Sequence, residues 1–291
     1  MTIQVYRGTL LLLSCILGFY GEVSFAATSP NQVPSCYALS KVNVEPPEIE
    51  RSLFVLVDQT TVLDPKLKQV LFDSVRGALR PGTSFTVVSF SAFSQGRYLS
   101  VVSTGVLEQL IPHDVRDSIS VKSLKHFDSC LSEQTNYGVR LVLSSIEQAV
   151  AEATTDLAKS DVFTSLTEIS QIVKQSTAPR RIVLVVSDML ENSTISSFYA
   201  NNRVRKIDPV REMKVVEENN VIGDFGGASV YVMGAGLIPD LSKGNSKDKS
   251  NIGYRDPKTM GALKQFWTNY FTKSNAKLEE FGMPALLSPV Q

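Results

Sequence analysis

The chain has 291 residues, 43% of them hydrophobic and 20% charged, which is ordinary globular material and enough for one large domain or two small ones. Lysine plus arginine equals aspartate plus glutamate at 29 each, so no global field argues for nucleic acid or for an anionic membrane surface. Low-complexity tracts and long charge runs are absent.

At the amino terminus, Arg7 precedes an apolar run from Gly8 to Tyr20 of secretory-signal length. Ser24-Phe25-Ala26 then places small residues at the two positions a signal peptidase reads, so cleavage after Ala26 and a periplasmic or otherwise exported mature chain are expected. An uncleaved anchor is the alternative, but the run is short for a membrane span and Glu22 interrupts it. The box Leu12-Leu13-Ser14-Cys15 also resembles a lipoprotein cleavage site, with too little apolar core before its cysteine. Removing Cys15 leaves Cys36 and Cys130, an even pair in an oxidising compartment, and these two are expected to be bonded. Two buried free thiols are the alternative. Closing so long a loop would stabilise the fold by about 4 to 5 kcal/mol by chain-entropy arithmetic, before native strain is subtracted.

Residues 27–49 hold Pro34, Pro46 and Pro47 with little apolar periodicity and read as an extended arm leading into one domain over residues 50–291. Ser52 to Thr61 (SLFVLVDQTT) is an apolar run that stops at Asp58 and passes into hydroxyl residues. It fits the central strand of a parallel sheet covered on both faces, with Asp58 at the carboxyl end, the edge where such sheets bind ligands. An Asp in that position is also a common turn former. Asp64-Pro65 starts a helix, and Leu67, Val70, Leu71, Val75, Ala78 and Leu79 form its apolar stripe until Arg80-Pro81-Gly82. Ser84 to Phe90 and Arg97 to Ser103 are strand-like, and the short link Ser91 to Gly96 makes them an antiparallel hairpin. Leu107 to Glu133 has no clear pattern. It holds both histidines, His113 and His126, neither at a metal-ligand spacing, and both read as loop or surface residues.

A long helix is expected from about Tyr137 to Leu157, and Ser160-Asp161 can cap the next, in which Val162, Leu166, Ile169 and Val173 recur at helical spacing. Arg181 to Asp188 (RIVLVVSD) repeats the first strand's logic, an apolar run ending in an acid. Ala200 to Asn220 reads as an exposed helix, Ser229 to Met233 as a strand, and Leu237 to Pro257 as a surface excursion without periodicity. Leu263, Phe266, Trp267, Tyr270 and Phe271 give the helix from Thr259 to Ala276 an aromatic face suited to core packing. Gly282 to Leu287 supplies a last short strand. The alternation of strands and helices predicts a three-layer, doubly wound α/β fold whose sheet is mostly parallel with one antiparallel edge strand.

This order, with one acid-ended strand first and another about two thirds along, resembles the von Willebrand factor A domain over approximately Glu50 to Leu287. In that family an Asp-x-Ser-x-Ser motif, a Thr from a later loop and an Asp after the fourth strand hold a divalent cation. The ion's open position takes a carboxylate from a protein partner. Here Asp58 and Thr60 match the first two motif positions, Val62 stands at the third and cannot ligate, and Asp188 matches the late Asp. Thr164 is the choice for the central Thr, with Ser160 and Ser165 as rivals. The resemblance implies a Mg²⁺ or Mn²⁺ site at Asp58, Thr60, Thr164 and Asp188; its alternative is a degenerate site in which Asp58 only accepts hydrogen bonds from neighbouring loops.

The function this implies is a non-enzymatic, exported protein-binding module, an adaptor or assembly factor of a bacterial envelope beside a secretion, pilus or conjugation apparatus. A rival is a haloacid-dehalogenase-like, metal-dependent phosphohydrolase, because Asp58-Gln59-Thr60 resembles its nucleophile loop, although the second Asp is missing. No nucleophile elbow, P-loop or dinucleotide glycine pattern occurs. A third reading places the contacts on the surface segment Asn201 to Asn219.

Overall fold

The computed structural model describes residues 31–91, 99–153, 160–200, 203–238 and 256–291. The expected signal segment, residues 27–30, most of the Ser91–Gly96 link, the last residues of the helix expected to end at Leu157 and most of the Leu237–Pro257 excursion lie outside them. A six-stranded sheet runs in the order β3-β2-β1-β4-β7-β8. It is formed by β1 (Arg51–Asp58), β2 (Thr83–Phe90), β3 (Leu99–Leu107), β4 (Arg180–Val186), β7 (Ala228–Met233) and β8 (Ala276–Phe281). All neighbours pair in parallel except β2 and β3, so β3 is the antiparallel edge. A two-residue-per-strand hairpin, β5 (Tyr199–Ala200) and β6 (Arg203–Val204), stands apart from the sheet. Every residue of β1 is buried, because helices cover both faces and leave no solvent side on which polar residues could alternate.

Alternate residues of β1 feed two cores. Leu53, Val55 and Val57 face α2 (Pro65–Ala78) and α4 (Val121–Ala151), while Phe54 and Leu56 face α5 (Val162–Gln175), α6 (Pro209–Glu218) and α7 (Pro257–Lys273). The aromatic face of α7 is core: Phe266, Trp267, Tyr270 and Phe271 are fully buried, and Phe163 of α5 lies 5.7 Å from Phe266 between ring centres.

Four differences from the sequence reading have local causes. The long helix α4 starts at Val121, sixteen residues before Tyr137, with Ser120 Oγ accepting from Ser123 N–H at 3.1 Å. Its first half shows a thin stripe, Phe127, Leu131 and Gln134, because it packs on the arm and not on the sheet. The arm itself is not wholly extended: α1 (Cys36–Leu39) is one helical turn capped by Ser35. The last strand is β8, not Gly282–Leu287, and its sequence AKLEEF hides the pattern because an edge strand exposes Lys277 and Glu279. The helix expected over Ala200–Asn220 begins only at Pro209. Asp208-Pro209 and Asp256-Pro257 repeat the Asp-Pro start seen at Asp64-Pro65, each Asp accepting first-turn N–H groups.

The arm is held by the expected disulfide, Cys36–Cys130, with Cα atoms 5.7 Å apart and a sequence separation of 94. Glu108 Oε2 accepts from the Cys36 N–H at 2.7 Å and from Gln134 Nε2 at 3.0 Å, and Tyr37 packs edge-on against Phe127 at 4.7 Å. His126 joins this region through its Nδ1, 3.0 Å from Ser40 Oγ. The Cys36→Ser, Cys130→Ser double variant should lose about 2 to 5 kcal/mol of unfolding free energy in non-reducing urea titrations. An unchanged midpoint would mean that the covalent tie adds nothing to the arm's packing.

Candidate functional site at the carboxyl edge of the sheet

The edge is built around Asp58, the last residue of β1, whose side chain is fully buried. Its Oδ1 accepts from the Thr60 N–H at 2.8 Å and from Thr60 Oγ1 at 2.6 Å. Its Oδ2 accepts from Ser187 Oγ at 2.7 Å and from Ser160 Oγ at 3.3 Å. A carboxylate offers about four acceptor positions. All four are filled.

Asp188 lies two residues past β4 and is also buried. Its N–H donates to Thr61 Oγ1 at 2.9 Å, its Oδ1 accepts from the Leu190 N–H at 2.8 Å, and its Oδ2 accepts from the Tyr199 hydroxyl at 2.6 Å. The turn that follows requires Met189 in the left-handed region, at φ 58°. Neighbouring elements hold it there: the Met189 N–H donates to Ser187 Oγ at 3.0 Å, and its carbonyl accepts from Trp267 Nε1 at 2.9 Å. A third buried acid, Glu191, accepts from the Phe163 N–H at the start of α5 at 2.9 Å.

Of the four residues the resemblance implies, Asp58 and Thr60 touch, and Asp188 is tied to the same loop through Thr61. Thr164 sits in the first turn of α5, where its N–H donates to the capping Asp161 at 3.1 Å. The hydroxyl that reaches Asp58 from this region is that of the rival, Ser160, held by a two-way backbone bridge to Asn192. Val62 is 49% exposed beside the site. Ser187 and Tyr199 were not read from the sequence. Ser187 was visible as the hydroxyl ending the apolar run of β4; nothing in the sequence marks Tyr199, twelve residues on in a polar stretch.

Burial raises the acids' affinity for protons. It pushes Asp188 up to about 8, with the neighbouring Asp58 charge adding to the effect, pushes Glu191 up to about 8, and raises Asp58 as well. Burial and the Asp188 charge raise Tyr199, which therefore keeps its proton and remains a donor. Among the described residues no Lys or Arg pairs with Asp58 or Asp188.

A hard divalent ion needs near-octahedral oxygen ligands. Here the Asp58 acceptors are saturated, each Asp188 oxygen already accepts a hydrogen bond, both acids are sealed from solvent, and Val62 contributes no oxygen. Among the described residues no three His, Cys, Asp or Glu side chains gather as a metal cluster. The arrangement does not fit a solvent-facing cation; it fits a hydrogen-bonded acid pair that locks three loops. Fold and site together define a doubly wound α/β protein with a mostly parallel sheet and a closed acid pair at the carboxyl edge of that sheet.

No protein-family model matches this chain, and no curated protein matches it. Among solved structures it is similar to an aerotolerance-related membrane protein from Bacteroides fragilis, at 10% identity, with 80% of this chain and 92% of that chain covered and a TM-score of 0.36. It is similar to the PilB minor pilin from Streptococcus sanguinis at 11% identity, covering 82% of this chain and 58% of that one, with a TM-score of 0.37. The TFIIH p34 N-terminal domain aligns at 11% identity over 64% of this chain and 81% of that chain, with a TM-score of 0.25.

Two predictions follow from the acid pair. Asp58→Ala strands the Ser187, Ser160 and Thr60 donors and should cost about 3 kcal/mol or more, whereas Asp58→Asn, which the rotating hydroxyls can accommodate, should cost about 1 to 2 kcal/mol. Equal losses in urea titration would show that shape, not hydrogen bonding, sets the role of Asp58. Because Asp188 and Glu191 titrate higher folded than unfolded, the native state holds protons that the unfolded chain releases, so stability falls as pH rises from the ordinary carboxylate range to about 8. Asp188→Asn removes one of these groups and should leave a visibly flatter decline between those limits. A slope equal to that of the wild type would remove Asp188 from the linkage.

Proposed function

We propose that the chain is an exported, non-catalytic von Willebrand A-like module that binds another protein through the loops at the carboxyl edge of its sheet. Its role would be that of an adaptor or assembly factor in a bacterial envelope, next to a secretion, pilus or conjugation apparatus. The observation that carries the reading is the locked edge: hydroxyls from three loops converge on one buried carboxylate, which holds those loops in one arrangement. The signal-like amino terminus and the Cys36–Cys130 bond support export to an oxidising compartment. Among the described residues no helix is long and apolar enough to cross a membrane.

The phosphohydrolase alternative is not favoured. A nucleophilic Asp needs a free lone pair within reach of phosphorus, and Asp58 has neither a free acceptor position nor solvent exposure. The competing surface is the groove of about 420 Å³ between α6 and α7, whose α6 wall, Val210, Met213, Lys214 and Glu217, lies within the Asn201–Asn219 segment of the third reading and whose other wall is Thr272 and Lys273 of α7. The two surfaces separate by crosslinking. A photo-reactive residue at Val62, on the carboxyl edge, should capture a partner in cells, and one at Val210, on α6, should not. Capture only from Val210 would move the interface to the helices and sink the edge reading.

A further inference from the structure

Besides the saturated Asp58, two side chains that are not the usual ligands of a hard divalent ion mark this edge: Tyr199, on Asp188, and Val62, on the loop after Thr61. Asp188 keeps one oxygen on the Leu190 N–H and gives the other to the Tyr199 hydroxyl at 2.6 Å. Tyr199 is set by its pairing with Val204 across the β5–β6 hairpin and by its N–H, which donates to Ser197 Oγ at 3.3 Å. The preceding residue, Phe198, is fully buried, with its ring 5.3 Å from Phe266, and the Phe198 N–H donates to the Glu191 carbonyl at 2.7 Å. Phe198 and the hairpin thus fix the backbone position from which the Tyr199 hydroxyl reaches Asp188. Val62 follows Thr60 and Thr61, half exposed, and carries an isopropyl group at the motif position where the resemblance implies a hydroxyl.

We propose that Tyr199 is a built-in stopper: its hydroxyl occupies the Asp188 oxygen that a divalent cation would take, so the carboxyl edge keeps its shape without an ion. A phenolic O–H competes with a cation for the same lone pair, and here it is held in place by the hairpin and pays little ordering entropy to do so. Asp58 needs no ion for the same reason, because Thr60, Ser187 and Ser160 saturate it. The stopper rests on the geometry of the acid pair and is independent of which partner the edge binds.

Titration of the purified chain with Mn²⁺ alone, by calorimetry, tests this in four proteins: wild type, Tyr199→Phe, Tyr199→Phe with Val62→Ser, and that pair with Asp188→Asn. The wild type should give no saturable binding. The Tyr199→Phe, Val62→Ser protein should bind Mn²⁺ saturably, at least about tenfold more tightly than Tyr199→Phe alone, and adding Asp188→Asn should abolish it. Saturable binding by the wild type overturns the proposal, as does a folded double variant that ignores Mn²⁺, for then the phenol is only a structural tie. If the double variant does not fold, Tyr199→Phe decides: its thermal midpoint should rise with Mn²⁺ while that of the wild type stays fixed, and an unmoved midpoint overturns the stopper. None of these outcomes bears on the crosslinking contrast between Val62 and Val210.

Discussion

Four donors converge on the Asp58 carboxylate, and they arrive from three separate stretches: Thr60 from the β1 loop, Ser160 from the approach to α5, and Ser187 from the end of β4. Removing a carboxylate from water costs several kcal/mol, while a hydrogen bond to a charged group contributes about 1.5 to 3 kcal/mol. The balance is therefore small: the network adds little over an apolar packing of the same shape, although removing Asp58 alone strands its donors. What it imposes is a unique arrangement. Any loop that moves away leaves a buried acceptor unpaired, so the loops move together or not at all.

The same constraint reaches outward through short connections. Asp188 is fixed by Thr61 on one side and Tyr199 on the other, and the strained Met189 turn between Asp188 and Leu190 is pinned by Trp267 of α7. Ser160 is bridged to Asn192, and Phe198 joins Glu191 while its ring enters the aromatic core. A helix on one face of the sheet is thus connected to a loop at its edge by one indole hydrogen bond. The opposite end is secured differently: the arm is tied by the disulfide and by Glu108, which accepts from the Cys36 N–H and from Gln134.

What the sequence disclosed depends on how far apart the interacting groups lie along the chain. Strand β1 and the aromatic face of α7 were legible because burial on two faces or on one helical stripe leaves a local pattern, and the Cys36–Cys130 bond was legible by elimination. The amino half of α4 was not, because a helix resting on an arm needs only Phe127, Leu131 and Gln134, too sparse a stripe to stand out. β8 was missed because edge strands carry charge to avoid pairing, and those charges erase the apolar signal. At the site, Asp58, Thr60 and Asp188 sit at strand ends and could be named, while the choice of Thr164 over Ser160 turned on the conformation of a loop that no periodicity records. Tyr199 was beyond reach, since its role exists only once a hairpin brings it to Asp188 in the loop after β4.

Closure of the acid pair also bears on how such an edge can bind. A site completed by an ion gains affinity when the partner supplies the missing ligand, and its loops can reorganise at that moment. An edge already saturated by its own hydroxyls has no such ligand position to offer; under the proposed reading a partner would recognise a surface that is fixed beforehand. Fixed loops lose little conformational entropy on association, so even a modest contact area around Val62 can give useful affinity. Recognition would then come from shape and apolar contact at the rim, with Asp58 acting from beneath as the group that keeps the rim in register.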